Sequence, residues 1–140
     1  MIVFLDTSAL LKLFVAEANS ALVREIVSQS AVVVACVLTY VEARSALTRK
    51  RRGGELTQEE HARAVSTFES QWPSYAVVEL PFSLVRAAAV VAERHALRGY
   101  DAVQLASAIE FQAQYGERVT FVSADQRLCA AAAAEGLDAA

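Results

Sequence analysis

Four short apolar runs separated by helical patterns constrain this chain more than any other feature. They are Ile2–Leu5, Ala31–Val37, Tyr75–Leu80 and Arg118–Val122. Ala31–Val37 is continuous and valine-rich, as a strand buried on both faces reads. Between the runs the apolar spacing turns helical. Ser20–Ser28 places Leu22, Val23, Ile26 and Val27 on one face, and Thr39–Arg52 stops at Gly53-Gly54. Thr57–Trp72 carries His61, Val65, Phe68 and Trp72 as a stripe and meets Pro73. A further helix is expected from Pro81 to about Leu97, broken by Gly99, then Tyr100–Tyr115 before Gly116 and Ala124–Glu135 before Gly136. Strands alternating with helices predict a doubly wound α/β fold, with a central parallel sheet of four to five strands. No repeat or linker divides the 140 residues, so residues 1–140 are read as one domain.

The acids are placed where such a sheet gathers its chemistry. Asp6, Glu42 and Asp125 each follow an apolar run, and Asp101 opens a helix. Ligands of an open parallel sheet bind beyond the carboxyl ends of its strands. The four carboxylates therefore converge if the runs are parallel strands. Carboxylates at close range repel one another unless a cation neutralises them, and hard oxygen ligands favour Mg²⁺ or Mn²⁺. With no Ser, Cys or His triad in view, the pattern points to metal-assisted hydrolysis of a phosphodiester.

Each acid also has a purely structural reading. Thr39-x-x-Glu42 and Ser123-x-x-Gln126 match capping boxes, Asp101 suits a first turn, and Asp6 suits an Asx turn. These roles are compatible with ligation, because a helix N-terminus orients an acid without consuming both oxygens. Other phosphate chemistry is poorly supported. The first strand–helix turn is Asp6-Thr7-Ser8-Ala9 and lacks the glycines that bring backbone N–H groups onto phosphate. His61 and His95 fall near apolar helical faces and read as packing residues.

The formal net charge is −3, but residues 44–52 hold five basic residues and no acid. A basic patch beside an acidic site suits a polyanion, and Arg49, Lys50, Arg51 and Arg52 are candidates for contact with its phosphates. A solvated helix end explains the same run. No apolar run is long enough to span a bilayer. The opening MIVFLDTS has no basic n-region and is not read as a signal peptide. Cys36 and Cys129 match no metal spacing, and the expected location is the cytoplasm.

The stretches FLDTSALLKLFVAE, LTYVEARSALTRK, RGYDAVQLASA and TFVSADQRLCAAA resemble, in order and spacing, the four motifs of PIN-domain ribonucleases, and in particular the VapC-type toxins of toxin–antitoxin pairs. The resemblance covers nearly the whole chain. It implies a Rossmann-like fold and a Mg²⁺- or Mn²⁺-dependent endoribonuclease, usually a homodimer inhibited by a small antitoxin. The family's acids fall on Asp6, Glu42, Asp101 and Asp125, and its hydroxyls on Thr7 or Ser8 and on Ser123. One departure is the short end after Gly136, where a fifth strand is expected to be short or absent.

The expected mechanism is in-line hydrolysis of RNA by metal-activated water. Asp6 and Asp101 are the first choices as metal ligands, and Glu42 and Asp125 complete the site. Two alternatives remain. A catalytically silent PIN-like module would bind RNA without cleaving it. A phosphoacceptor signalling domain would need an aspartate at the end of its central strand and a late lysine. Here the third run ends Val-Glu-Leu-Pro, and the only lysines are Lys12 and Lys50.

Overall fold

The computed structural model describes residues Met1 to Ala140. Five parallel strands run β1 (Ile2–Leu5), β2 (Val32–Cys36), β3 (Ala76–Val78), β4 (Val119–Val122) and β5 (Asp138–Ala139) in chain order. In space their order is β3-β2-β1-β4-β5. The helices are α1 (Thr7–Leu11), α2 (Ser20–Ser28), α3 (Leu38–Arg52), α4 (Gln58–Gln71), α5 (Phe82–His95), α6 (Gly99–Tyr115) and α7 (Gln126–Ala134). The predicted doubly wound α/β architecture is present.

Side chains alternate across a strand, so β1 feeds two cores. Ile2 and Phe4 join Phe121 of β4 with Leu105 of α6 and Leu128 of α7. Val3 and Leu5 join Leu10, Leu47 and Phe68 from α1, α3 and α4. All four β1 residues are buried, which explains why this strand is apolar without alternation. The strand order reverses at β1, leaving a crevice between the ends of β1 and β4.

Several boundaries differ from the sequence expectation. The first helix, for which the sequence pattern sets no bounds, is a short one that stops at Leu11. The third strand is only Ala76–Val78: Tyr75 caps a 3₁₀ turn over Trp72–Ser74, and pairing with β2 ends at Val78, before Glu79 and Leu80. Pro81 is an N-cap rather than a first-turn residue. The break before α6 lies at Ala96, in the left-handed region at φ 53°, while Gly99 begins the helix. The fifth strand is present but short, with Thr120 and Phe121 of β4 paired to Asp138 and Ala139.

The α4 stripe is spent internally. Phe68 is buried, and it contacts Phe14, Tyr40 and Trp72 as aromatic neighbours. Exposed apolar side chains include Phe82, Val85 and Val90 on α5. Cys36 is buried and free. His95 pairs with Glu135, which ties the end of α5 to α7. No helix is long and apolar enough to cross a membrane.

Candidate active site

A cleft of about 760 Å³ opens at the switch point between β1 and β4, and Asp6, Glu42, Asp101 and Asp125 all line it. They arrive from the β1–α1 junction, α3, the first turn of α6 and the N-cap of α7. The fold thus sets all four acids along one cleft.

Asp6 is the most constrained of them. It is 5% exposed and caps α1, accepting from Ala9 N at 2.9 Å. Ser8 Oγ donates to Asp6 Oδ1 at 2.7 Å, and Ser123 Oγ donates to Oδ2 at 2.5 Å. The same serines accept from the next loop: Ala124 N donates to Ser8 Oγ, and Asp125 N donates to Ser123 Oγ, both at 3.0 Å. These bonds stitch the end of β1 to the end of β4. Burial pushes the Asp6 carboxyl above its ordinary value, with Asp101 adding repulsion, while Ser123, Ala9 and Ser8 oppose the rise.

Burial also raises Asp101, Arg98 lowers it, and Asp125 raises it again. Arg98 Nε lies 3.7 Å from Asp101 Oδ2. Asp125 caps α7 by accepting from Arg127 N at 2.9 Å and Leu128 N at 3.3 Å. The expected Ser123-x-x-Gln126 box does not form, because Ser123 is turned to Asp6. Nor does Thr39 cap α3, which starts at Leu38 with Val37 as its N-cap and no side-chain cap. Glu42 is therefore released from a capping role.

Glu42 is held by a polar knot that the sequence did not announce. Thr7 Oγ1 donates to Glu42 Oε1 at 2.8 Å, and Gln104 Nε2 donates to the same oxygen at 2.9 Å. Gln104 Nε2 also reaches Thr39 Oγ1 at 2.9 Å and Thr7 Oγ1 at 3.3 Å. An ionised carboxylate only accepts, so the amide must turn its NH₂ edge to Glu42. Gln104 is 2% exposed and its Oε1 has no partner. Its one available signal was position: it lies three residues after Asp101, on the same face of α6. Gln104→Met keeps the bulk but leaves Thr39 and Glu42 short of a donor. It should destabilise the fold by about 1–3 kcal/mol in a urea titration. A midpoint shift below the resolution of that titration would show that the knot is not structural.

The basic run is divided by the structure. Arg44 pairs with Glu69, and Lys50 pairs with Glu17 at 3.2 Å and Glu55 at 3.3 Å. Arg49 alone of the run lines the cleft, with Nη1 donating to Ser45 Oγ. The cleft has a second cation, Arg98, and an aromatic residue, Tyr100, neither of which stood out in the sequence.

The donor set fits a hard divalent ion in one particular way. No three His, Cys, Asp or Glu side chains are gathered closely enough to cage a metal alone. Mg²⁺ prefers one or two carboxylates supplemented by waters and substrate phosphate oxygens. Asp101 supplies a carboxylate engaged only by the long contact to Arg98, and Asp6 Oδ2 accepts a single hydrogen bond. Oxygens of Glu42 and Asp125 also remain without protein donors.

A family model described as PIN domain matches residues 3–134. Ribonuclease VapC45 of Mycobacterium tuberculosis is 37% identical over 108 residues, which cover 77% of this chain and 75% of that protein. Among solved structures, M. tuberculosis VapC20, a sarcin–ricin loop cleaving toxin, superposes with a TM-score of 0.67 at 19% identity, over 92% of this chain and 94% of that one. A toxin–antitoxin complex from Klebsiella pneumoniae gives 0.59 at 11% identity, over 88% and 86%. At those identities the two structures speak to the fold alone. The match across residues 3–134 and the 37% identity to a VapC ribonuclease establish that this chain belongs to the PIN-domain family, among its VapC-type members.

Proposed function

We propose that this chain is a Mg²⁺- or Mn²⁺-dependent endoribonuclease that acts as the toxin of a toxin–antitoxin pair. The observation that carries the reading is the convergence of Asp6, Glu42, Asp101 and Asp125 in one cleft at the switch point of the sheet. The 37% identity to a VapC ribonuclease supports the choice of RNA as substrate.

Asp6 and Asp101 would hold the ion, with Glu42 and Asp125 completing its surroundings. When bound, it would lower the pKa of a water and offset charge on the phosphoryl oxygens during in-line displacement. The protein's own share is positioning. Ser8 and Ser123 fix both oxygens of Asp6, and Thr7 with Gln104 fixes one oxygen of Glu42. Arg49 and Arg98 give the walls of an otherwise acidic cleft positive charge for neighbouring phosphates.

The test is cleavage of a mixed RNA pool by purified protein in Mg²⁺ or Mn²⁺, with EDTA as control. Metal-dependent products are expected. RNA binding without cleavage under every metal condition would favour the silent-module reading. The partner proposal is a small antitoxin that suppresses cleavage, and α5, with its exposed Phe82, Val85 and Val90, is the face offered for a homodimer. Light scattering and co-purification from the native host check both.

The split basic run makes a further prediction. Arg49→Gln should weaken RNA binding and reduce its salt slope by about 0.7, the value for one phosphate contact on a single strand. Lys50→Gln should leave that slope unchanged, because Lys50 is committed to Glu17 and Glu55. A filter-binding series over salt separates them. Equal slopes for wild type and Arg49→Gln would remove Arg49 from the RNA path.

A further inference from the structure

The cleft contains one aromatic side chain, Tyr100, on the first turn of α6 immediately before Asp101. Tyr100 is 46% exposed. Phe82 and Tyr115, the other exposed aromatics of this kind, lie outside the cleft. The Tyr100 hydroxyl makes no hydrogen bond within the protein, so no polar contact holds the residue in place. The guanidinium of Arg98 lies over the Tyr100 ring, 5.4 Å from its centroid. Arg98 is itself 75% exposed, and its 3.7 Å contact with Asp101 is long. A long contact made by a side chain that lies mostly in solvent is held weakly. Arg98 is thus free to leave Asp101 for a phosphate oxygen without moving off the helix end.

A planar aromatic and a planar cation, next to each other and beside the acids, have the chemistry of a nucleotide subsite. Unpaired bases are bound by stacking on aromatic rings and guanidinium planes, while arginine takes the adjacent phosphate. A base inside a duplex has both faces covered and cannot use such a platform. We propose that Tyr100 and Arg98 form a stacking subsite that receives one unpaired base of the substrate and its phosphate, next to Asp101. The subsite rests on the ribonuclease reading. It adds that a nucleotide beside the cut is recognised by its π face and is unstacked from its neighbours when bound.

Binding is measured by fluorescence anisotropy with random-sequence 12-nucleotide RNAs, single-stranded or annealed to complements, using protein carrying Asp6→Asn to suppress cleavage. A random pool suffices because stacking tolerates any base. Tyr100→Ala is expected to weaken single-strand binding by roughly 5- to 150-fold, the range for loss of one stacking aromatic. Duplex binding should be unchanged. Tyr100→Phe should bind like the parent, and Tyr100→Leu, which keeps apolar bulk without a π face, should resemble Tyr100→Ala. A defined RNA with an abasic site at the stacked position should lose affinity in the parent but lose no more in Tyr100→Ala.

Single-strand affinity unchanged by Tyr100→Ala, or a loss shared equally by duplex and single strand, overturns the subsite. So does full affinity in Tyr100→Leu. Wild-type cleavage in Mg²⁺ is scored separately, so a protein that cuts RNA without depending on Tyr100 fails the subsite alone. A protein that neither cuts nor binds RNA fails the ribonuclease reading and the subsite together.

Discussion

Asp6→Asn and Asp101→Asn are each expected to reduce metal-dependent RNA cleavage by well over about 100-fold, more than the loss of an outer-shell partner of a metal ligand costs. Both variants should fold. Asn still caps a helix, so Ala9 N keeps its acceptor at position 6. Asn is also close in shape to Asp and can still engage Ser8 and Ser123. Calorimetric titration with Mn²⁺ should show weakened binding in each case. Cleavage retained by Asp101→Asn would remove that residue from the mechanism and leave its place beside Asp6 without a chemical role.

The same substitution carries a signature in the metal-free protein. The folded-state pKa of Asp6 is raised above 3.8 by burial, and Asp101 adds to the rise. A raised carboxylate pKa means that the native state holds the proton more readily than the unfolded chain. The ionised group therefore opposes folding at neutral pH, and the penalty is relieved as pH falls through the folded value toward 3.8. In EDTA, Asp6→Asn should melt higher than wild type near pH 7, and the gap should close toward pH 4. Glu135, lowered chiefly by His95, and Glu60, lowered by the Thr57 backbone, have the opposite dependence. Both are present in each protein, so the difference between the two melting curves isolates position 6. A gap that stays constant across this range would mean that Asp6 is not driven by burial.

The convergence of the acids was legible because it follows from topology. Once Ile2–Leu5 and Arg118–Val122 are read as parallel strands, Asp6 and Asp125 must share an edge. The contacts within the site were less legible, because they depend on which of several local bonds wins. Thr39 and Glu42 have the spacing of a capping box, yet α3 begins at Leu38 and Thr39 is buried against Gln104. Ser123 has capping chemistry, yet Asp6 takes its hydroxyl and Asp125 caps α7 in its place. Hydrophobic periodicity locates helices but says nothing about a polar side chain on a buried face, so Gln104 was missed. The basic run reads as one patch in the sequence because spacing along a helix does not reveal acids from elsewhere. Glu17 and Glu69, both distant in sequence, take Lys50 and Arg44 out of it. The helix break at Ala96 has no glycine to announce it.

Phe121→Ala is expected to be the most destabilising single change in the sheet, at about 3–5 kcal/mol, the usual cost of deleting a buried aromatic ring. Phe121 and Phe4 are directly paired across β4 and β1, both fully buried, and their rings stack with centroids 5.6 Å apart and planes 9° from parallel. Removing one ring leaves its partner facing a void that Leu105 and Leu128, in the same core, can fill only by moving helices α6 and α7. Thermal melting should fall by on the order of 10 °C. Phe121→Leu, which keeps most of the volume, should cost less than about 1.5 kcal/mol. The site should respond as well, for a geometric reason. Two residues beyond this pair, Asp6 and Ser123 are joined by the 2.5 Å bond between the ends of β1 and β4. A core that no longer fixes the spacing of β1 and β4 no longer fixes that bond. Mn²⁺ binding, measured well below the variant's melting temperature, should therefore weaken in Phe121→Ala and be nearly unchanged in Phe121→Leu. If Phe121→Ala lowers the melting temperature but binds Mn²⁺ as tightly as wild type, the carboxylates are held by their local hydrogen bonds alone, and the packing beneath them supports the fold without setting the site.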